Sequence, residues 1–86
     1  MSERLELFHL LVHPGCSRVR KWVADHELVD AVHFRNLYFE EHLAALRSHG
    51  ATEDDVPCVW DGEKLFQGPD ACIARLQALL DVGRAG

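Results

Sequence analysis

The feature that most restricts this chain is an abrupt change of hydrophobic period at Pro14-Gly15. Before it, Leu5, Leu7 and His9 alternate with Glu6, Phe8 and Leu10. Both faces are largely apolar, as in a strand buried on two sides. From Cys16 onward Val19, Trp22, Val23 and His26 share one helical face, and Arg18, Lys21 and Asp25 share the other. Leu28-Val29-Asp30 closes this helix. A strand covered on both faces, running straight into a helix, points to an α/β domain.

The rest of the chain supplies the remaining layers. Residues 31–37 alternate with period two and read as a second strand. Phe39, Leu43 and Leu46 predict a helix over 40–48, with Gly50 at its C-cap. Residues 51–55 form a polar loop, and Val56-Pro57-Cys58-Val59-Trp60 reads as a third strand. Asp61-Gly62 predicts a two-residue hairpin into Lys64-Leu65-Phe66. Gly68-Pro69-Asp70 punctuates. Ile73, Leu76, Leu79 and Leu80 then define a last helix with Cys72 near its inner face, and 82–86 is expected to fray. The order is β-α-β-α-β-β-α. A strand, helix and strand of this length favour a right-handed parallel crossover. With an antiparallel hairpin at the other side, this predicts a mixed four-stranded sheet with helices on both faces, in one domain over 1–86.

Composition removes several function classes. Charged residues of both signs are interspersed, with a net charge of −5, and no basic stripe with aromatics appears. Nucleic acid is therefore not an expected partner. No apolar run, Leu10-Leu11-Val12 included, is long enough to span a membrane. No secretory signal pattern follows Met1. Three cysteines without a close pair make no disulfide framework, so reduced thiols in a cytoplasm are the expectation. A chain of 86 residues buries only about 60–65% of its unfolded surface, so little of its core is dispensable.

Three short motifs fall in a family-like order: His13-Pro14-Gly15-Cys16 followed by Ser17-Arg18-Val19-Arg20, then Asp55-Val56-Pro57, then Gly68-Pro69-Asp70-Ala71. Together they resemble the glutaredoxin branch of the thioredoxin superfamily, near the N-terminal domains of glutathione transferases. The resemblance spans roughly Leu5 to Leu80 and implies a thioredoxin fold. It implies a cis Val56-Pro57 bond and a glutathione groove along Val56, Pro57, Gly68, Pro69 and Asp70. Val56 would pair its backbone with the peptide as an added strand does. Asp70 would meet the ligand's ammonium group at the N-terminus of the last helix; on the plainer reading it is that helix's N-cap. Leu10 stands where many glutaredoxins carry a lysine for the terminal carboxylate, and Arg47 is the candidate substitute.

His13 and Cys16 carry the question of activity. The family's attacking thiol sits at the first of these positions, where helix N–H groups acidify it. Here that position is His13, and Cys16 matches the second, resolving cysteine. Three readings stand side by side. His13 caps the helix and Cys16 is a small buried hydrophobe. Alternatively, Cys16 is a reactive single thiol assisted by the helix N-terminus, Arg20 and His13. Thirdly, the pair at i and i+3 binds a metal, although stable sites want three or four ligands. A Cys16–Cys58 disulfide is disfavoured by its narrow geometry, and Cys72 reads as core. His9, His26, His33, His42 and His49 show no ligand spacing, and Trp22 and Trp60 read as core or half-buried residues.

The expected function is a glutaredoxin-like, glutathione-dependent thiol-disulfide oxidoreductase acting through Cys16. Its partner would be glutathione or a glutathionylated or thiol protein. The alternative is a non-catalytic thioredoxin-fold binding module. A stand-alone relative of the transferase N-terminal domain is disfavoured, since no helical second domain follows to complete the substrate pocket.

Overall fold

The computed structural model describes residues 5–85. Strand β1 (Leu5–His9) leads to α1 (Pro14–Asp25), β2 (Val32–Asn36), α2 (Glu40–Ser48), β3 (Cys58–Trp60), β4 (Leu65–Gln67) and α3 (Pro69–Ala85). Short 3-10 turns stand before β2 and before β3. The sheet order is β2-β1-β3-β4. β1 runs parallel to β2 with Leu5 opposite Val32, and antiparallel to β3 with Leu7 opposite Val59. The chain is therefore α/β with a mixed four-stranded sheet and three helices.

The two faces of β1 seed two cores. Leu5 and Leu7 pack with Val59 of β3, Val19 and Val23 of α1, and Cys72 and Leu76 of α3. Phe8 and Cys58 pack on the opposite face with Leu46 of α2, Cys16, Ala51 and Val56. The burial of β1 on both faces follows from this layering. Each fully buried Leu or Phe contributes about 1.5–3 kcal/mol relative to exposure.

Several boundaries differ from expectation for local reasons. Helix α1 begins at Pro14 rather than Cys16, because the first turn needs no N–H and proline's φ is already helical. It stops at Asp25, short of Leu28. Glu27 adopts φ 55°, the Leu28 N–H donates to the Val23 carbonyl at 2.9 Å, and the Glu27 N–H donates to the Ala24 carbonyl at 3.1 Å. This is a Schellman stop, with Leu28 folded back onto the core. His26, expected on the buried face, is consequently exposed and stacks on Trp22 at 3.9 Å.

The predicted two-residue hairpin is corrected to a four-residue one. Trp60 pairs with Leu65, and Asp61 to Lys64 form the turn. The Asp61 carboxylate accepts the Glu63 and Lys64 N–H groups at 2.9 and 2.8 Å, while Gly62 takes φ 100°. Those bonds hold the Asp61 carboxyl below its usual range, the Lys64 N–H being the largest cause. The polar loop before Val56 contains a turn over Glu53–Asp55, closed by a Thr52/Asp55 capping box. β3 starts two residues later than predicted, at Cys58. Helix α2 has the expected bounds, Glu40–Ser48; Phe39, expected on its apolar stripe, is the N-cap residue and is 49% exposed. The last helix continues past Leu80 to Ala85, through the segment expected as a frayed tail; Gly86 lies outside the described residues. No helix among the described residues is long and apolar enough to cross a membrane.

Candidate functional site

The three motifs, far apart in sequence, meet at one end of the sheet. A Cβ placed on Gly15 would lie 3.1 Å from His13 Cε1 and 3.3 Å from Pro57 Cδ, so the α1 start and Pro57 are in close contact there. A side chain at position 15 would have to displace one of them. The Val56-Pro57 bond is cis. On its far side, the Pro57 carbonyl accepts the Gly68 N–H at 2.9 Å. Arg18 of α1 then reaches across to Asp70 of α3 at 2.8 Å. His13, Gly15, Pro57, Gly68 and Asp70 are thus linked by one chain of contacts, with Pro57 buried at its centre and Asp70 exposed at its end.

His13 is the N-cap of α1. Its backbone is extended, and its Nδ1 accepts the Cys16 N–H at 3.3 Å. One of the unpaired donors of the first turn is satisfied by this ring. The bond goes to the Cys16 backbone and not to its thiol, so His13 organises the helix start without touching sulfur.

Cys16 is 0% exposed. Its Sγ accepts the Leu10 N–H at 3.4 Å. Burial pushes the thiol up from its ordinary value, and the Leu10 N–H and the Arg20 charge only partly oppose this. Cys58 and Cys72 are also buried free thiols. Their sulfurs donate to the Asp55 and Pro57 carbonyls at 3.2 and 3.3 Å. Burial first, then neighbouring charge, drives both up to about 12. Among the described residues, no group of three or more His, Cys, Asp or Glu side chains could hold a metal.

Asp70 is not the N-cap of α3. Pro69 opens that helix and the Cys72 N–H bonds to the Gly68 carbonyl at 3.0 Å, so Gly68, with φ 95°, takes the cap position. Asp70 stands in the first turn, 88% exposed in its side chain, beside the Arg18 guanidinium. Arg47, the candidate substitute for the missing lysine, pairs with Glu53 at 3.4 Å.

Sequence reading missed two features here. One is an apolar cleft of about 390 Å³ lined by Leu10, Leu11, Val12, Asn36 and Tyr38, at the carboxyl ends of β1 and β2. The signal was present: Leu10-Leu11-Val12 carries the apolar run past the last residue of the strand. The other is the placement of Arg20: expected to assist the Cys16 thiol, its guanidinium binds the backbone of the same loop. No family model matches the chain, and no curated protein is significantly similar to it.

Proposed function

We propose that this domain is a thioredoxin-fold module of glutaredoxin type that binds a glutathione-like or thiol-bearing peptide without exchanging disulfides. The observation that carries the non-catalytic half is the state of Cys16. A nucleophilic thiol must be accessible and largely ionised at neutral pH. Cys16 is sealed from solvent and its thiol is pushed up by burial. His13, at the position of the family's attacking thiol, uses its Nδ1 on the helix cap.

The binding half is supported by the exposed ion pair between α1 and α3. Arg18 and Asp70 present a cation and an anion side by side, both well exposed. That pair complements the carboxylate and ammonium of a γ-glutamyl end, each charge-assisted contact being stronger than a neutral one. Val56 precedes the cis Pro57 with its side chain buried in the second core, which leaves only its backbone to pair with an extended peptide. The reading of Cys16 as an exchanging thiol calls on the helix N-terminus, Arg20 and His13; the groups that lower this thiol are the Leu10 N–H and the Arg20 charge, and burial outweighs both.

An NMR titration with reduced glutathione tests the binding half. Amide signals of Val56, Gly68 and Asp70 should shift and saturate at millimolar ligand; no shift there removes glutathione as the ligand. Alkylation with iodoacetamide at pH 7.5 tests the other half. All three cysteines should react slowly, and rapid labelling of Cys16 alone would reinstate thiol exchange.

A further inference from the structure

One guanidinium holds the loop between β1 and α1. Arg20 Nη1 donates to the Leu10 carbonyl at 2.9 Å and lies 3.1 Å from His9 Nδ1, while Nη2 donates to the Leu11 carbonyl at 3.0 Å. Two successive loop carbonyls and the last residue of β1 are thereby tied to the second turn of α1. Beyond this, the Leu10 carbonyl accepts the His13 N–H at 3.4 Å and Leu10 packs on the second core, while Leu11 and Val12 at the tip are 64% and 95% exposed. The same loop supplies the Leu10 N–H that meets the Cys16 sulfur.

His9 controls whether Arg20 can stay. A guanidinium only donates, so His9 Nδ1 must accept and the ring proton sits on Nε2. Nε2 is buried and has no partner. A second proton would have to enter at Nδ1, facing the Arg20 nitrogen. Two donors and two cations would then oppose each other at hydrogen-bond distance. The charged and titratable groups acting on the ring are Arg20 from α1 and His42 from α2, and both disfavour a further positive charge. Phe34 of β2 meets the ring edge to face at 5.8 Å and supplies no acceptor.

We propose that the Arg20–His9 contact is a proton-sensitive latch: closed, it keeps the β1–α1 loop against Cys16, and protonation of His9 expels Arg20, frees the Leu10 and Leu11 carbonyls and uncovers the thiol. The inference goes beyond the binding reading and does not depend on which ligand the surface takes. Linkage fixes its sign and size. Burial, Arg20 and His42 hold His9 near about 4 when closed, against an ordinary 6.5. Protons therefore favour the open form below pH 6.5. The open fraction should rise about fourfold at pH 6 and about thirtyfold at pH 5, relative to pH 8.

The test uses the full chain and 4,4′-dithiodipyridine, which keeps reacting with thiols in acid. Modification of each cysteine is followed by peptide mass spectrometry and normalised to free cysteine at each pH. Cys16 should accelerate by these factors while Cys58 and Cys72 stay slow. His9→Gln keeps an acceptor for Arg20 but does not titrate, so its Cys16 rate should be flat with pH. Arg20→Lys keeps the charge but loses the fork, and should expose Cys16 already at pH 8. The latch is overturned by a flat Cys16 rate in the unaltered protein, or by all three cysteines accelerating together, which signals global unfolding. It is equally overturned if His9→Gln retains the pH dependence, or if Arg20→Lys leaves Cys16 sealed at pH 8.

Discussion

Replacing Glu27 by glycine should stabilise this protein, and the size of the gain can be worked from the end of α1. Glu27 is the C′ residue of the Schellman stop, with φ 55° and an exposed side chain. An L-residue in the left-handed region costs about 1–2 kcal/mol because Cβ crowds the following carbonyl. Glycine removes that cost but loses about 0.4–1 kcal/mol through the greater freedom of its unfolded chain. The net gain is about 0.5–1 kcal/mol. For 86 residues the unfolding entropy near the midpoint is about 0.18 kcal/mol/K. The expected rise in Tm is therefore about 3–6 °C. A second effect must be separated, because a carboxylate at a helix C-terminus opposes the macrodipole. Glu27→Ala removes the charge and keeps Cβ, so the difference between Glu27→Gly and Glu27→Ala isolates the backbone contribution. Thermal unfolding followed by circular dichroism reads both. If Glu27→Gly melts no higher than Glu27→Ala, the left-handed stop is not where α1 ends and the argument fails.

Two further outcomes follow from the site. His13→Cys places a thiol at the N-cap of α1, next to Gly15 and Pro57, where helix N–H groups acidify it; it should gain glutathione-dependent disulfide reductase activity in a coupled assay, and no gain would mean the surrounding surface cannot support exchange. For His9, the folded value lies below the unfolded one, so its stabilising contribution is complete above pH 6.5 and is lost as pH falls toward about 4. Urea unfolding should show the protein losing up to about 2 kcal/mol between pH 7.5 and pH 5 beyond any loss in His9→Gln; equal losses in the two proteins would show that His9 does not titrate across this range.

The elements of the fold were legible because their signals are local. The alternation of Leu5 to Leu10, the Val19/Val23 helix face, the 40–48 helix with Gly50 behind it and the Leu76 helix are each written within a dozen residues. The errors were also local in origin but were decided by competing hydrogen bonds. Glu27 took a left-handed conformation that composition does not announce. Asp61 used its carboxylate to build a longer turn than Asp61-Gly62 suggests.

By itself, the sequence determined that a doubly buried strand turns into a helix at Pro14-Gly15, that a histidine stands three residues before a cysteine there, and that three short motifs stand at wide spacing. Periodicity and turn chemistry act between near neighbours, and a single chain displays them directly. Only the tertiary structure decided what those residues can do. Packing of the β1–α1 loop buried Cys16 and raised its thiol; the crossing of α1 and α3 joined Arg18 to Asp70; and the return of α1 against β1 set Arg20 on His9. Each depends on desolvation or on contacts between distant segments, and neither is encoded in the spacing of residues along the chain.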